Sequence, residues 1–179
     1  MNRLKQKGRR AMNKGFLKYG LFVIVVILLQ VLILNNIEFS GFINPYIYVM
    51  IIMLLPLDFP QWLVLITAFA SGFVIDASSG TLGIHSAATV MTGFMRPYIL
   101  LYMSPRDGYE QGVSPSMQVY GFRWFFIYAA WMLFIHHFAF FYLEVFRFTD
   151  FFRTLLRVIL STGFSLIFVI LTEYYRKLR

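Results

Sequence analysis

Long apolar runs separated by short polar clusters dominate this chain. About twenty mostly apolar residues carry a helix across the hydrocarbon core of a bilayer, and runs near that length recur along the sequence. The first covers residues 16–34. The next, 43–75, is cut by Pro56-Leu57-Asp58-Phe59-Pro60, which predicts two short helices with a turn between them, each near or below spanning length. Asn44-Pro45 suits a helix start, because a proline at the first helical position gives up an N–H that has no intrahelical partner. Further helices are expected over 82–103, 122–146 and 151–174, and 104–121 is the only sizeable polar loop. The pattern therefore predicts an all-α integral membrane protein with six transmembrane helices and no soluble domain.

Composition agrees with that class. Of 179 residues, 59% are hydrophobic and 13% charged, whereas soluble domains carry about 25% charged residues. The absence of cysteine rules out a disulfide framework and a thiol nucleophile. A net charge of +8 would suit nucleic acid, but seven of the cations lie between Arg3 and Lys18, before or within the first turn of the first span. Such a cluster orients a span at an anionic leaflet, and nucleic acid is not an expected partner. The first run resembles a signal peptide, yet Asn35-Asn36-Ile37-Glu38 follows with no small-x-small cleavage site, so it reads as an uncleaved span. The expected organisation is a basic cytoplasmic segment (1–15), a six-helix transmembrane domain (16–175) with the cytoplasmic loop 104–121, and a basic tail (176–179). Six spans put both termini on one side, and cytoplasmic termini place twelve of the sixteen Lys and Arg inside. Arg147, Arg153 and Arg157 run against this bias; they mark an outer contact, or Arg153 and Arg157 snorkel from one turn apart on the sixth helix.

Candidate chemistry starts in the stretch from Phe69 to Ser86. Asp76 ends an apolar run and is surrounded by Gly72, Gly80 and Gly83, which would share its face if the helix continued. An acid at bilayer depth is costly and so marks a functional candidate. A face almost bare of side chains also admits another backbone, which makes these four residues a candidate helix-packing or partner interface. The structural alternative is a helix end, with Gly80 left-handed and Asp76 ordering the turn; Asn would then serve as well as Asp. Arg96-Pro97 joins the candidates: the proline should kink its helix, and Arg96 lies roughly 16 Å along the axis from His85. It would either snorkel to lipid phosphate or pair across the bundle.

His136, His137 and Glu144 lie on the fifth helix, where interfacial, hydrogen-bonded histidines are expected in preference to a metal site. No nucleophile elbow, phosphate loop or zinc-protease motif occurs, so neither an enzyme nor a cofactor is expected. The same helix carries aromatics through its middle rather than only at its ends. Trp131, Phe134 and Phe138 are its candidate aromatic face, covered by lipid or by another protein's helix. Arg106 and Asp107 are candidate contacts in the cytoplasmic loop.

These residues carry a resemblance. Gly72-Phe-x-x-Asp76 followed by Gly80-x-x-Gly83, after a proline-broken pair of short helices and behind a basic N-terminus, resembles the rod shape-determining MreD family. Arg96-Pro97-Tyr98 and Ser104-Pro105-Arg106-Asp107-Gly108-Tyr109-Glu110 resemble one branch of that family. The resemblance implies a multi-pass protein of the bacterial inner membrane. It implies a non-enzymatic scaffold of the cell-elongation complex, supporting cell shape and peptidoglycan synthesis. MreC is then the first partner expected, with the MreB filament system, RodA and its transpeptidase, and membrane lipid as others. The family bundle is similar to the substrate-binding subunits of vitamin transporters, so the alternative is a small-molecule-binding transporter subunit.

Overall fold

The computed structural model describes residues 17, 19–36, 42–146 and 150–178. The basic segment 1–15, Arg147 and Arg179 lie outside the described residues. All the regular elements of the described residues are helices, without a β-strand. In order, the elements are α1 (Tyr19–Asn36), which closes in a 3₁₀ turn at Leu34–Asn36, α2 (Met50–Met53), α3 (Gln61–Ser79), α4 (Ile84–Tyr102), α5 (Met117–Val145) and α6 (Phe151–Leu178).

Four helices, α1, α3, α5 and α6, are long and apolar enough to cross a membrane, consistent with a membrane protein. Their outer surfaces agree. On α3, Trp62, Ile66, Phe69 and Phe73 are exposed while Ala68, Ser71, Gly72 and Asp76 are buried. Large apolar side chains thus face outward and small or polar ones inward, as suits a lipid solvent. α4 has spanning length, but Arg96, His85 and two threonines, Thr89 and Thr92, lower its apolarity; these side chains turn into the protein.

The expected second membrane helix is corrected. From Phe42 to Leu57 the only helix is the single turn of α2. This segment nevertheless fills the centre of the bundle: residues 45–55 are all buried, and Tyr48–Met53 are at most 1% exposed. It runs from Asn44, whose N–H meets Ser161 Oγ of α6 at 3.1 Å, to Leu57, whose N–H meets the Val113 carbonyl of the α4–α5 loop at 2.9 Å. Non-helical backbone is tolerated at membrane depth only where protein buries it and supplies its hydrogen bonds, and here the neighbouring helices supply them.

The two ends of the bundle are identified by contacts. At one, the Arg176 guanidinium sits 5.5 Å from the Phe22 ring centroid, so the start of α1 and the end of α6 lie together. At the other, Asn35 donates to Ser79 Oγ at 2.9 Å, and Glu144 of α5 pairs with Arg157 of α6 at 2.6 Å. The expected start of the fifth helix at residue 122 corresponds to a break inside α5: Gly121 has φ 80° and ψ 167°, and a short turn precedes it. Ser116 caps that turn by accepting from the Val119 N–H.

Candidate functional site

Asp76 sits where α3 hands over to α4. Gly80, with φ 68°, ends α3 in the left-handed conformation, and its N–H returns to the Asp76 carbonyl. Asp76 itself is 4% exposed. Its Oδ1 accepts from Thr81 Oγ1 at 2.6 Å and the His85 N–H at 3.0 Å. Oδ2 accepts from the Ser86 N–H at 2.9 Å and Ser86 Oγ at 2.6 Å. The carboxylate thereby satisfies the first free N–H groups of α4 and meets the positive end of its dipole. Gly72 makes this possible by closeness, since an added Cβ there would lie 2.6 Å from Ser86 Cα. A second small contact continues the seam, with Ala68 Cβ 3.2 Å from where a Cβ on Gly93 would stand. Gly72 and Asp76 therefore pack α3 on α4. Gly80 and Gly83 are not part of that face: both have positive φ in the turn, and an added Cβ would meet nothing within 4 Å.

Arg96 does not snorkel. It is 2% exposed and points into the core, where Nη2 donates to the Leu55 and Pro56 carbonyls and Nε donates to Tyr128 Oη at 3.2 Å. Tyr128 in turn donates to the Met53 carbonyl at 3.0 Å. The bundle offers closer acceptors than the lipid phosphates, so the side chain turns inward and serves the irregular segment. Pro97 lies inside α4, where its ring removes one helical N–H.

The sequence pattern did not single out the other ligands of this segment. Gln30 of α1 is fully buried; its Oε1 accepts from the Ile47 N–H at 2.8 Å and its Nε2 donates to the Pro45 carbonyl at 3.1 Å. Ser165 of α6 accepts from the Tyr46 N–H at 2.9 Å, and Tyr19 donates to the Ile51 carbonyl. Glu173, 1% exposed, accepts from the Met117 N–H at 3.2 Å and pairs with Arg176. A lone Gln or Ser inside an apolar run is the available signal, since such groups need partners in lipid.

The histidines are core residues, not interfacial ones: His136 and His137 are wholly buried and His85 is 3% exposed. Tyr48 Oη lies 3.0 Å from His85 Nδ1, 3.0 Å from His136 Nε2 and 3.2 Å from Thr89 Oγ1. One hydroxyl proton cannot serve both rings, so at least one imidazole donates its own N–H. His137 is held by its neighbours. The Leu133 carbonyl lies 2.8 Å from Nδ1, and the Asn44 carbonyl and Ser165 hydroxyl each lie 3.2 Å from Nε2; a neutral ring donates to one of the two carbonyls only. Among the described residues, no three His, Asp or Glu converge in a metal-holding group.

The aromatic face of α5 borders a groove. Trp131 is half exposed, Phe134 and Phe138 are half-buried, and Phe134 lies 6.3 Å from Trp131 and 6.1 Å from Phe138 between ring centroids. Phe126, Ile127, Ala130, Trp131, Phe134 and Thr162 line a groove of about 370 Å³ between α5 and α6. Thr162 Oγ1 is buried and has no hydrogen-bond partner among the described residues. Arg106 and Asp107 are exposed in the α4–α5 loop, beside a turn closed by Gly108 N–H to the Pro105 carbonyl, and neither touches the core. In comparisons with known proteins, no family model, no curated protein and no solved structure matches this chain.

Proposed function

We propose that this protein is a non-enzymatic membrane scaffold of the bacterial cell-elongation complex, seated in the inner membrane with both termini cytoplasmic, and that it works by helix–helix contact. The observation that supports the reading best is the α5–α6 groove. Ala130 opens it, Trp131 and Phe134 rim it, and the Thr162 hydroxyl is left without a partner in apolar surroundings. A crossing helix would fill this space with side chains, a gain in packing that acyl chains match less well. The partner proposed is the transmembrane helix of MreC, with MreB, RodA and its transpeptidase further out. The burial of Asp76 and Arg96 supports the same reading, because these side chains serve the protein's own backbone and helix ends.

The chain has no cysteine, which makes a crosslinking test direct. Ala130→Cys should form disulfides with a cysteine scanned along the MreC helix, at positions spaced by three and four residues. Ala77→Cys, on the far side of the bundle, should not. Ala130→Trp should abolish co-purification while leaving the protein folded. Uniform crosslinking along the helix, or undiminished co-purification with Ala130→Trp, would remove the groove from consideration. The alternative, a small-molecule-binding subunit, is favoured by one observation: a polar cavity at the opposite end of the bundle from the α4–α5 loop.

A further inference from the structure

That cavity lies where α1, α3 and α5 end and α4 begins. It measures about 300 Å³, at the lower limit of ordinary ligand clefts. Its wall is unlike the rest of this apolar protein. Asn44, Ser79, His85 and Glu144 bring amide, hydroxyl, imidazole and carboxylate groups to it, and Tyr46 and Phe140 add aromatic surface. The two rings lie 5.0 Å apart, edge to face, and Tyr46 stacks on His137 at 5.3 Å, so this surface is held rigidly.

Most of the charge near the cavity is already answered. Arg157 holds Glu144 Oε2 at 2.6 Å, and Asp76, behind Thr81 and His85, has both oxygens engaged by four donors. The groups left are uncharged or neutralised. His85 uses Nδ1 toward Tyr48, and its Nε2 has no partner among the described residues. Ser79 accepts from Asn35 but its own proton has no acceptor among them. Glu144 Oε1 is likewise unengaged there. A wall offering scattered donors and acceptors over a rigid aromatic floor, with no uncompensated charge, selects a compact neutral molecule rich in hydroxyl groups. An anion would meet Glu144, and a cation would compete with Arg157.

We infer that this cavity binds a neutral polyhydroxyl molecule of about monosaccharide size, with His85, Ser79 and Glu144 as its hydrogen-bonding contacts and the edges of Tyr46 and Phe140 closing its floor. The site is separate from the α5–α6 groove and stands or falls independently of the scaffold reading. It is also linked to the core, since His85 passes its hydrogen bond through Tyr48 to His136 and the central segment. Occupancy would therefore stiffen the same element that the helices hold.

The test uses the full chain in lipid nanodiscs, because sugar-headed detergents would themselves occupy the site. Glucose, ribose, myo-inositol and N-acetylglucosamine serve as neutral probes, with choline and inorganic phosphate as charged ones, each titrated against thermal unfolding and ligand-observed magnetic resonance. At least one neutral probe should saturate with a Kd below about 10 mM. Ser79→Phe, which projects a ring into the cavity from an exposed position, should weaken that binding about tenfold or more, while Ala77→Phe on the adjacent exposed surface should not. Ser78→Phe blocks the same cavity from the next position, so a folding defect in one variant leaves the other to decide. Saturation by choline or phosphate alone, no saturation by any neutral probe, or equal binding by the blocked variants would overturn the assignment.

Discussion

Gly72→Ala is the smallest change that tests how α3 and α4 fit together. The added methyl would stand 2.6 Å from Ser86 Cα and 2.8 Å from both the His85 carbonyl oxygen and the Ser86 nitrogen. Non-bonded carbons settle at about 3.5–4.0 Å, so the first turn of α4 must retreat by roughly 1 Å. The atoms in the way are backbone, and no rotamer change relieves them. The retreat also pulls the His85 and Ser86 N–H groups from Asp76, whose bonds of 3.0 and 2.9 Å would open to about 4 Å, beyond hydrogen-bonding reach. Overpacking costs about 1–3 kcal/mol, and a hydrogen bond to a charged group contributes about 1.5–3 kcal/mol. The two are not additive, because the movement that relieves the clash is the movement that breaks the bonds. A loss of about 3 kcal/mol is expected. Gly163→Ala is the control: it lies within α6 with nothing within 4 Å of the added methyl, so it should leave stability unchanged or raise it by up to about 1 kcal/mol. Unfolding by SDS in mixed micelles, followed by circular dichroism, compares the two. If Gly72→Ala unfolds at the same SDS fraction as Gly163→Ala, the close approach of α3 and α4 is wrong.

Three further outcomes follow from the polar core. Arg96→Lys should lower stability by about 1–3 kcal/mol, because one ammonium cannot reach the Leu55 and Pro56 carbonyls and Tyr128 together; wild-type stability in the same SDS titration would return Arg96 to the lipid interface. Gln30→Leu leaves the Ile47 N–H and the Pro45 carbonyl buried without partners, at about 1–3 kcal/mol for each group; amide exchange at Ile47 no faster than in wild type would refute that role. Asp76→Asn should be destabilised and not tolerated, since whichever way the amide turns its NH₂ faces backbone N–H donors, and Asp76→Leu should be worse. Equal stability of Asn and Asp, measured by thermal unfolding, would mean that only the turn and not α4 depends on this side chain.

Much of the fold is legible in the sequence for a simple reason: apolar length and turn chemistry are local. The runs at 16–34, 122–146 and 151–174 correspond to α1, most of α5 and α6, and Asp76-Ala-Ser-Ser-Gly80 contains the helix end it resembles, with Gly80 left-handed. The run at 43–55 is different. An apolar stretch between prolines has the same composition whether it coils as a short helix or threads a core as irregular chain. The difference lies in who bonds its backbone, and those partners are far off: Ser161 is 117 residues from Asn44, and Ser165 is 119 from Tyr46. No periodicity carries that information.

This reordering also changes what a polar residue at bilayer depth signifies here. Arg96, with its charge and its proline neighbour, invites a lipid or partner role, and His136-His137 invites an interfacial one. Gln30, Ser161 and Ser165 invite nothing. In the structure Arg96, Gln30, Ser161 and Ser165 bond the backbone of one buried segment, and His136 and His137 bond Tyr48 and Ser165 at its edge. Each unbonded backbone group in an apolar interior costs several kcal/mol, so a chain that routes a non-helical segment through its centre must recruit polar side chains from the surrounding helices. The conspicuous residues and the inconspicuous ones are then one set, gathered by a single physical demand. The polar groups left over once that demand is met are few. Among the described residues the buried polar atoms without a partner are Tyr120 Oη, His136 Nδ1, Arg157 Nε and Thr162 Oγ1; accessible ones gather at the cavity by His85, and it is there that binding of a small molecule to this chain is to be sought.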